Sequence, residues 1–246
     1  MSFDERRHNE ERSLRFFATA PRPCSYLEDR SAVSIFADPD ATLDQNIYNQ
    51  LVQHGFRRSG KDLYVPSCPG CTKCIPVRTS VKHFSLSKNQ QRVWKRNKDL
   101  TWRTLPAEFN EEHFELYSRY LENRHAGGGM EDPTPEEYMS FLSSSWSNTI
   151  FLEARLDKQL VAVAVTDHLN DALSSVYTFF DPDLPRRSLG TLSVLLQLQK
   201  ASNINKNWLY LGYWIQESQK MSYKSRFKPL QMFSDGQWQD LNLDPV

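Results

Sequence analysis

Between residues 149 and 180 the chain runs through three strand-length apolar stretches, TIFLEARL, LVAVAVTDHL and LSSVYTFF, separated by the turn pairs Asp157-Lys158 and Asn170-Asp171. Short apolar runs bounded by turn residues predict an antiparallel meander. On either side the period becomes helical. Upstream, AEFNEEHFELYSRYLENRHAGGGM sets Phe109, His113, Leu116, Tyr120 and Arg124 at helical intervals and stops at Gly127, Gly128 and Gly129, which predicts an amphipathic helix and then a hinge. Thr134, Pro135 and Glu137 form a capping-box start for a helix through EEYMSFLSSSW. Downstream, DPDLPRRSLGTLSVLLQLQKASN reads as a loop and then an apolar helix from about Leu189. NWLYLGYWI follows as one more strand, with Trp208, Leu209 and Leu211 assigned to the core.

The first hundred residues are broken by Pro, Gly and other turn formers, which predicts short strands around a helix over LDQNIYNQLVQHGF that ends at Gly55. SLSKNQQRVWKRNKDL predicts a second helix, capped by Ser87, with Lys88, Arg92, Lys95 and Arg96 on one face. The expected fold class is therefore α+β. A smaller N-terminal α+β domain with the cysteines and the basic helix occupies residues 1–103, and a second domain occupies residues 104–246.

Charge sharpens this picture locally. The chain of 246 residues balances 30 Lys and Arg against 30 Asp and Glu, so it is no general polyanion binder. Between Ser67 and Lys98, however, no acidic residue occurs among eight basic ones. A basic helical stripe without acidic partners suits phosphate contact; the alternative is a solvated helix face. Four cysteines, three of them at CxxCxxC spacing, and no apolar leader in MSFDERRHNEERS predict a cytoplasmic protein with reduced thiols. No run approaches the length of a membrane span. Cys24 with Cys68, Cys71 and Cys74 supplies enough thiolates for zinc or an iron–sulfur cluster, or forms a buried cluster of redox-labile thiols.

Arg187, Gly190 and Thr191, between an apolar strand and an apolar helix, partly match the anion-binding loop of GNAT acyltransferases. CSYL, GFRRSG, YVPSCPGCTKCIPVR, SKNQQRVWKRN, YLENRH, FFDPDLPRRSLGTLSVL, YLGYWI and KMSYKSRFKP together resemble the arginyl-tRNA protein transferase family over nearly the whole chain. CPGCTKCIPVR and the chain length are similar to its bacterial leucyl branch. The resemblance implies a GNAT-like core, leucyl-tRNA as donor, and acceptor proteins beginning with Asp or Glu that are thereby marked for N-degron degradation. An arginyl-tRNA donor, a CoA-dependent acetyltransferase and a non-catalytic metal-and-RNA module are the competing readings.

An α-amine attacking the ester of an aminoacyl-tRNA is a downhill acyl transfer, so no cofactor is required for the chemistry. The absence of a P-loop motif agrees with that. Arg78, just after the cysteines, is the expected clamp for the acceptor carboxylate; the alternative is an ordinary salt-bridged arginine. Asp181 is either a proton acceptor or an Asx turn, and His125 either a base or a helix cap. Tyr223 joins them at the reacting centre. For tRNA the expected contacts are Lys88, Arg92, Lys95, Arg96, Arg186, Arg187, Tyr213, Lys224 and Arg226, combining phosphate pairing with base stacking.

Overall fold

The computed structural model describes residues 13–124 and 132–241. In chain order these form β1 (Phe16–Ala18), β2 (Arg22–Pro23), β3 (Ser31–Ala32), β4 (Ser34–Ala37), α1 (Gln45–Gln53), β5 (Arg57–Ser59), β6 (Asp62–Pro66), β7 (Ile75–Ser80), α2 (Lys88–Arg96), β8 (Leu100–Pro106), α3 (Glu111–Arg124) and α4 (Pro135–Leu142). They continue with β9 (Thr149–Leu156), β10 (Gln159–His168), β11 (Ala172–Phe180), α5 (Leu189–Asn203), β12 (Trp208–Trp214), β13 (Leu230–Ser234) and β14 (Gln237–Asp240). Single 3-10 turns cover Pro185–Arg187 and Ser222–Arg226. Among the described residues no helix is long and apolar enough to cross a membrane.

The meander forms as expected over β9 to β11, with Asp157 at φ 53 in the first turn, and β8, which the apolar pattern did not predict, adds to it antiparallel against β9. The predicted capping box on α4, Thr134 with Glu137, is present, and the predicted cap of α2, Ser87, closes into a second capping box with Gln90. β11 and β12, joined through α5, make a parallel pair. A meander, a crossover helix and a parallel strand give the GNAT-like α+β core that the motif order implied. β10 is buried along almost its whole length, which explains why LVAVAV lacks polar alternation: both faces of the strand are covered. On one face, Leu116, Tyr117, Leu121, Tyr138 and Leu142 of α3 and α4 pack on Phe151, Val163, Val165 and Phe179. On the other, Leu189, Leu192 and Leu196 of α5 pack on Ala154, Val161 and Ala162.

The division at residue 103 does not separate two sheets. It falls inside β8, and β7, from the cysteine-bearing half, lies between β13 and β12 in the eight-stranded sheet β14-β13-β7-β12-β11-β10-β9-β8. In the N-terminal region β1, β4, β6 and β5 form a sheet of their own, and β2 pairs with β3. The two regions are also locked by a buried ion pair. Arg58 on β5 donates to Asp167 on β10 through Nε (2.7 Å) and Nη2 (2.8 Å), with both side chains fully buried. Asp167 also accepts from Tyr48 (2.8 Å) and Thr149 (2.6 Å), and Arg58 spends its other hydrogens on Gly60 O and Leu142 O.

A second polar cluster fixes α3 to the sheet. Glu153 accepts from Arg103 Nε (2.7 Å), His113 Nε2 (2.8 Å) and Arg155 Nε (2.6 Å). Burial alone would raise its pKa, but hydrogen bonds from Arg155, His113 and Arg103 outweigh it and hold the carboxyl at about 2.

Removing one member of a buried ion pair strands the other charge, so Asp167→Ala is expected to cost about 3–5 kcal/mol in urea unfolding. Combining it with Arg58→Ala should cost less than the sum of the two single changes, since the pair is broken only once. The pKa of Glu153 is lower folded than unfolded, so its stabilisation is complete above the usual carboxylate pKa of about 4.3 and fades as pH falls towards 2. Glu153→Gln is therefore expected to lower stability at pH 7 and to flatten the loss of stability between about pH 5 and pH 2, read from unfolding midpoints.

Candidate active site cleft

β11 and β12 pair only from Ala172–Ser174 to Trp208–Tyr210 and then diverge. At the divergence opens a cleft of about 860 Å³, whose lining comes from β5, β11, β12, α3, the start of α5 and the segment 219–226. The sequence builds the opening in two ways. Gly212 sits at φ +75 where the register of β12 against β7 shifts, and a Cβ there would lie 1.5 Å from Nη1 of Arg57. Only glycine admits the guanidinium. Arg57 Nη2 in turn donates to Ser175 O (2.9 Å) and Val176 O (3.1 Å), two carbonyls of β11 just past its pairing with β12.

One wall is aromatic and apolar, with Tyr120, Phe141, Val176, Tyr177 and Phe180. Another is the start of α5, where Ser188 adopts a left-handed backbone and Gly190 and Thr191 face the cleft at the helix N-terminus. The basic residues on the lining are Arg57, Arg58, Lys220, Lys224 and Arg226, and no described lining residue is Asp or Glu.

The structure distributes the sequence-derived site residues unevenly. Tyr213, Tyr223, Lys224 and Arg226 all line the cleft. Tyr213 is buried, its hydroxyl on Gly55 O and Tyr64 O (3.1 Å each), so it ties β12 to the N-terminal region rather than offering a ring to a base. Lys224 is buried as well, with Nζ 2.6 Å from Tyr213 O. Burial, and then the charge of Arg57, hold its pKa well below the usual lysine range, so it is no phosphate contact.

Asp181 does not reach the lining. Its carboxylate accepts from Asp183 N (3.0 Å), Arg119 Nη2 (3.1 Å) and Gln159 Nε2 (3.1 Å), an Asx turn braced by α3, and the side chain is 3% exposed. A base that must meet substrate cannot be so enclosed, so the turn reading holds. His125 and the glycines of the expected hinge lie outside the described residues. Arg78 also misses the cleft. Its guanidinium is stacked between Trp208 (3.8 Å) and Trp238 (4.4 Å) and donates to Gln231 Oε1 (3.1 and 2.9 Å). That is packing across β7, β12, β13 and β14, and it leaves the expected carboxylate clamp without its role.

Lys88, Arg92, Lys95 and Arg96 are exposed along α2. The helix is docked beside the cleft, since Gln90 Nε2 donates to Arg226 O (3.0 Å) and Arg96 to Arg186 O. Arg186 is exposed in the same surface, whereas the fork of Arg187 is taken by Asp99 (2.9 and 2.8 Å).

The four cysteines are free thiols and half-buried. Burial and the other three cysteines push the Cys74 thiol up to about 11, and Val33 N donates to Cys68 Sγ (3.4 Å). The donor types suit zinc or an iron–sulfur cluster, but among the described residues no three of His, Cys, Asp or Glu are arranged to hold a metal.

Arg57 went unassigned at the sequence level although it lies in GFRRSG, one of the segments that carry the family resemblance. Two signals pointed to it: adjacent arginines on one strand must face opposite ways, and a glycine inside YLGYW marks a close approach by another group.

Comparison with known proteins agrees with this arrangement. Residues 22–92 match the family model for the arginine-tRNA-protein transferase N terminus, and residues 112–234 match that for the C terminus. The aspartate/glutamate leucyltransferase of Saccharophagus degradans is 48% identical over 92% of this chain and 96% of its own length. Those of Nitrosococcus oceani (49%, 91% and 94%) and Marinobacter nauticus (46%, 95% and 98%) are similar to the same degree. A tandem GNAT protein from clavulanic acid biosynthesis aligns at a TM-score of 0.40 and 9% identity, over 80% of this chain and 58% of that one. With both family models matched in order and such relatives aligned nearly end to end, the chain belongs to the arginine-tRNA-protein transferase family.

Proposed function

We propose that the protein transfers leucine from leucyl-tRNA to the N-terminal Asp or Glu of acceptor proteins, marking them for N-degron degradation. The observation that carries this reading is the charge of the cleft: Arg57, Lys220 and Arg226 stand there without a described carboxylate partner, beside an aromatic-apolar wall and with no described acidic residue on the lining. An arginyl donor would bury its guanidinium among cations without a carboxylate partner, which is strongly unfavourable. A leucyl side chain fits against Phe141, Val176 and Tyr177, and an acidic acceptor is attracted by the same field that repels arginine. The names of the relatives, aspartate/glutamate leucyltransferases, support the same pairing of donor and acceptor.

The α-amine of the acceptor attacks the ester carbonyl, and the 3′ oxygen of the tRNA departs with a proton. With an α-amino pKa of about 7.7 to 8, a useful fraction of the nucleophile is neutral near pH 7. The described lining offers neither a carboxylate nor an imidazole, so orientation and stabilisation of the oxyanion carry the rate. Backbone N–H groups of β11 beyond Ser174, where β12 no longer pairs with it, are suited donors to that oxyanion. The tRNA backbone lies along Lys88, Arg92, Lys95, Arg96, Arg186 and Arg226, and Gly190 and Thr191 meet its 3′ end. No bound cofactor is needed for these steps.

A transfer assay with mixed leucyl-, arginyl- and phenylalanyl-tRNA and peptides beginning with Asp, Glu, Arg or Lys, read by mass, is expected to add leucine to the Asp and Glu peptides alone. Addition of arginine would sink the donor assignment. Changing Lys88, Arg92 and Arg96 together to Ala is expected to weaken tRNA binding and to reduce the slope of log K against log salt by about 0.7–0.9 for each phosphate no longer neutralised. An unchanged slope would return the stripe to ordinary solvation.

A further inference from the structure

Arg78 is stacked between two tryptophans and lies outside the cleft, so a carboxylate bound there needs another partner, and the cleft narrows the choice. The fork of Arg58 is consumed by Asp167, Gly60 O and Leu142 O. Lys224 points its amine at Tyr213 O in a buried position. Lys220 and Arg226 are exposed at the rim, without a described side-chain partner that fixes them. Arg57 differs from all of these. It is anchored through Nη2 on two β11 carbonyls at the point where the strands separate. It has no carboxylate partner, and its Nε–H and Nη1 hydrogens have no protein acceptor among the described residues. The fold gives up a side chain at position 212 to make room for it. A half-buried guanidinium held rigid with Nε and Nη1 unspent is a preorganised receptor for a carboxylate, which it meets with a charge-assisted hydrogen bond.

We infer that Arg57 binds the side-chain carboxylate of the acceptor's N-terminal Asp or Glu, with Gly212 keeping open the space that its guanidinium occupies. The inference rests on the aminoacyl-transfer reading above and names the residue that selects the acceptor. Arg57 stands at the start of β5, against the cleft floor, so one ionic contact orients the acceptor's first residue against β11. The α-amine of that residue is then presented to the ester, and peptides with an uncharged first residue lack the anchor.

The test compares peptides beginning with Asp and with Asn, which differ in charge but hardly in shape. Arg57→Gln keeps a donor towards the β11 carbonyls and removes the charge. Its KM for the Asp peptide is expected to rise roughly 10- to 100-fold. KM for leucyl-tRNA should stay within about twofold, and the preference for Asp over Asn should fall towards one. Gly212→Ala, which leaves Arg57 in the chain but displaces its guanidinium, should raise the same KM. Wild-type preference for Asp over Asn in Arg57→Gln would overturn the inference. So would an equal fall in kcat for both peptides, the signature of a group that stabilises the oxyanion instead. If circular dichroism shows that Arg57→Gln does not fold, Arg57→Lys decides: a raised Asp-peptide KM with the Asp preference retained supports the clamp, and an unchanged KM overturns it. Should the wild-type protein transfer leucine to no peptide, the reaction assignment fails separately. Arg57 is then judged by calorimetric binding of the Asp against the Asn peptide without tRNA: a preference for Asp that Arg57→Gln abolishes supports the clamp, and equal binding of the two peptides overturns it.

Discussion

The buried pair of Arg58 and Asp167 is the constraint on which the site depends. It joins the short strand β5 to the middle of the main sheet at a place where neither charge sees solvent, and it draws in Tyr48 of α1, Thr149 of β9 and the last carbonyl of α4. A carboxylate with four hydrogen bonds around it has little freedom to move. Since successive side chains on a strand point to opposite faces, fixing Arg58 in the core fixes Arg57 in the cleft. The same three-residue strand thus supplies the interior lock and the cation of the cleft.

The opening itself follows from sheet geometry. Parallel strands that part after three residues leave carbonyl and N–H groups without partners, and such groups must be satisfied by something. Arg57 takes two of the carbonyls, and the remaining space becomes the cleft. Gly212 allows this because any side chain there would collide with the guanidinium. The apolar helix α5 then crosses from one strand to the other with its N-terminus at the cleft edge, so the partial positive charge of its first turn adds to the basic lining.

A chain with no net charge produces a basic cleft by placing its acidic residues where they are already paired. Glu153 is surrounded by Arg103, His113 and Arg155, Asp181 is braced by Arg119 and Gln159, and Asp99 holds Arg187. The basic stripe of α2 has no such partners among the described residues and is held beside the cleft by Gln90 and Arg96. Charge asymmetry here arises from pairing geometry rather than from composition, which is why the overall balance of 30 against 30 gave no hint of it.

Local chemistry was legible in the chain. The cap at Ser87, the capping box at Thr134, the turns at Asp157 and Asn170, and the apolar run of β10 follow from rotamer, capping and burial rules that act over a few residues. Motifs spread along the chain also identified the family. Partners remote in sequence were not legible. Arg78 and Asp181 looked available because nothing adjacent to them competes, yet Trp208 and Trp238 close over the one and Arg119 and Gln159 over the other, each from a different element. Whether a charged side chain is spent on the fold or left for a substrate is settled by residues a long way off in the chain, as with Arg57 on Ser175 O and Val176 O. The sequence by itself determined the elements, their caps and the basic stripe, because those depend on neighbours along the chain. The tertiary structure alone decided which arginine is free, because that depends on which strands part and on what fills the gap between them.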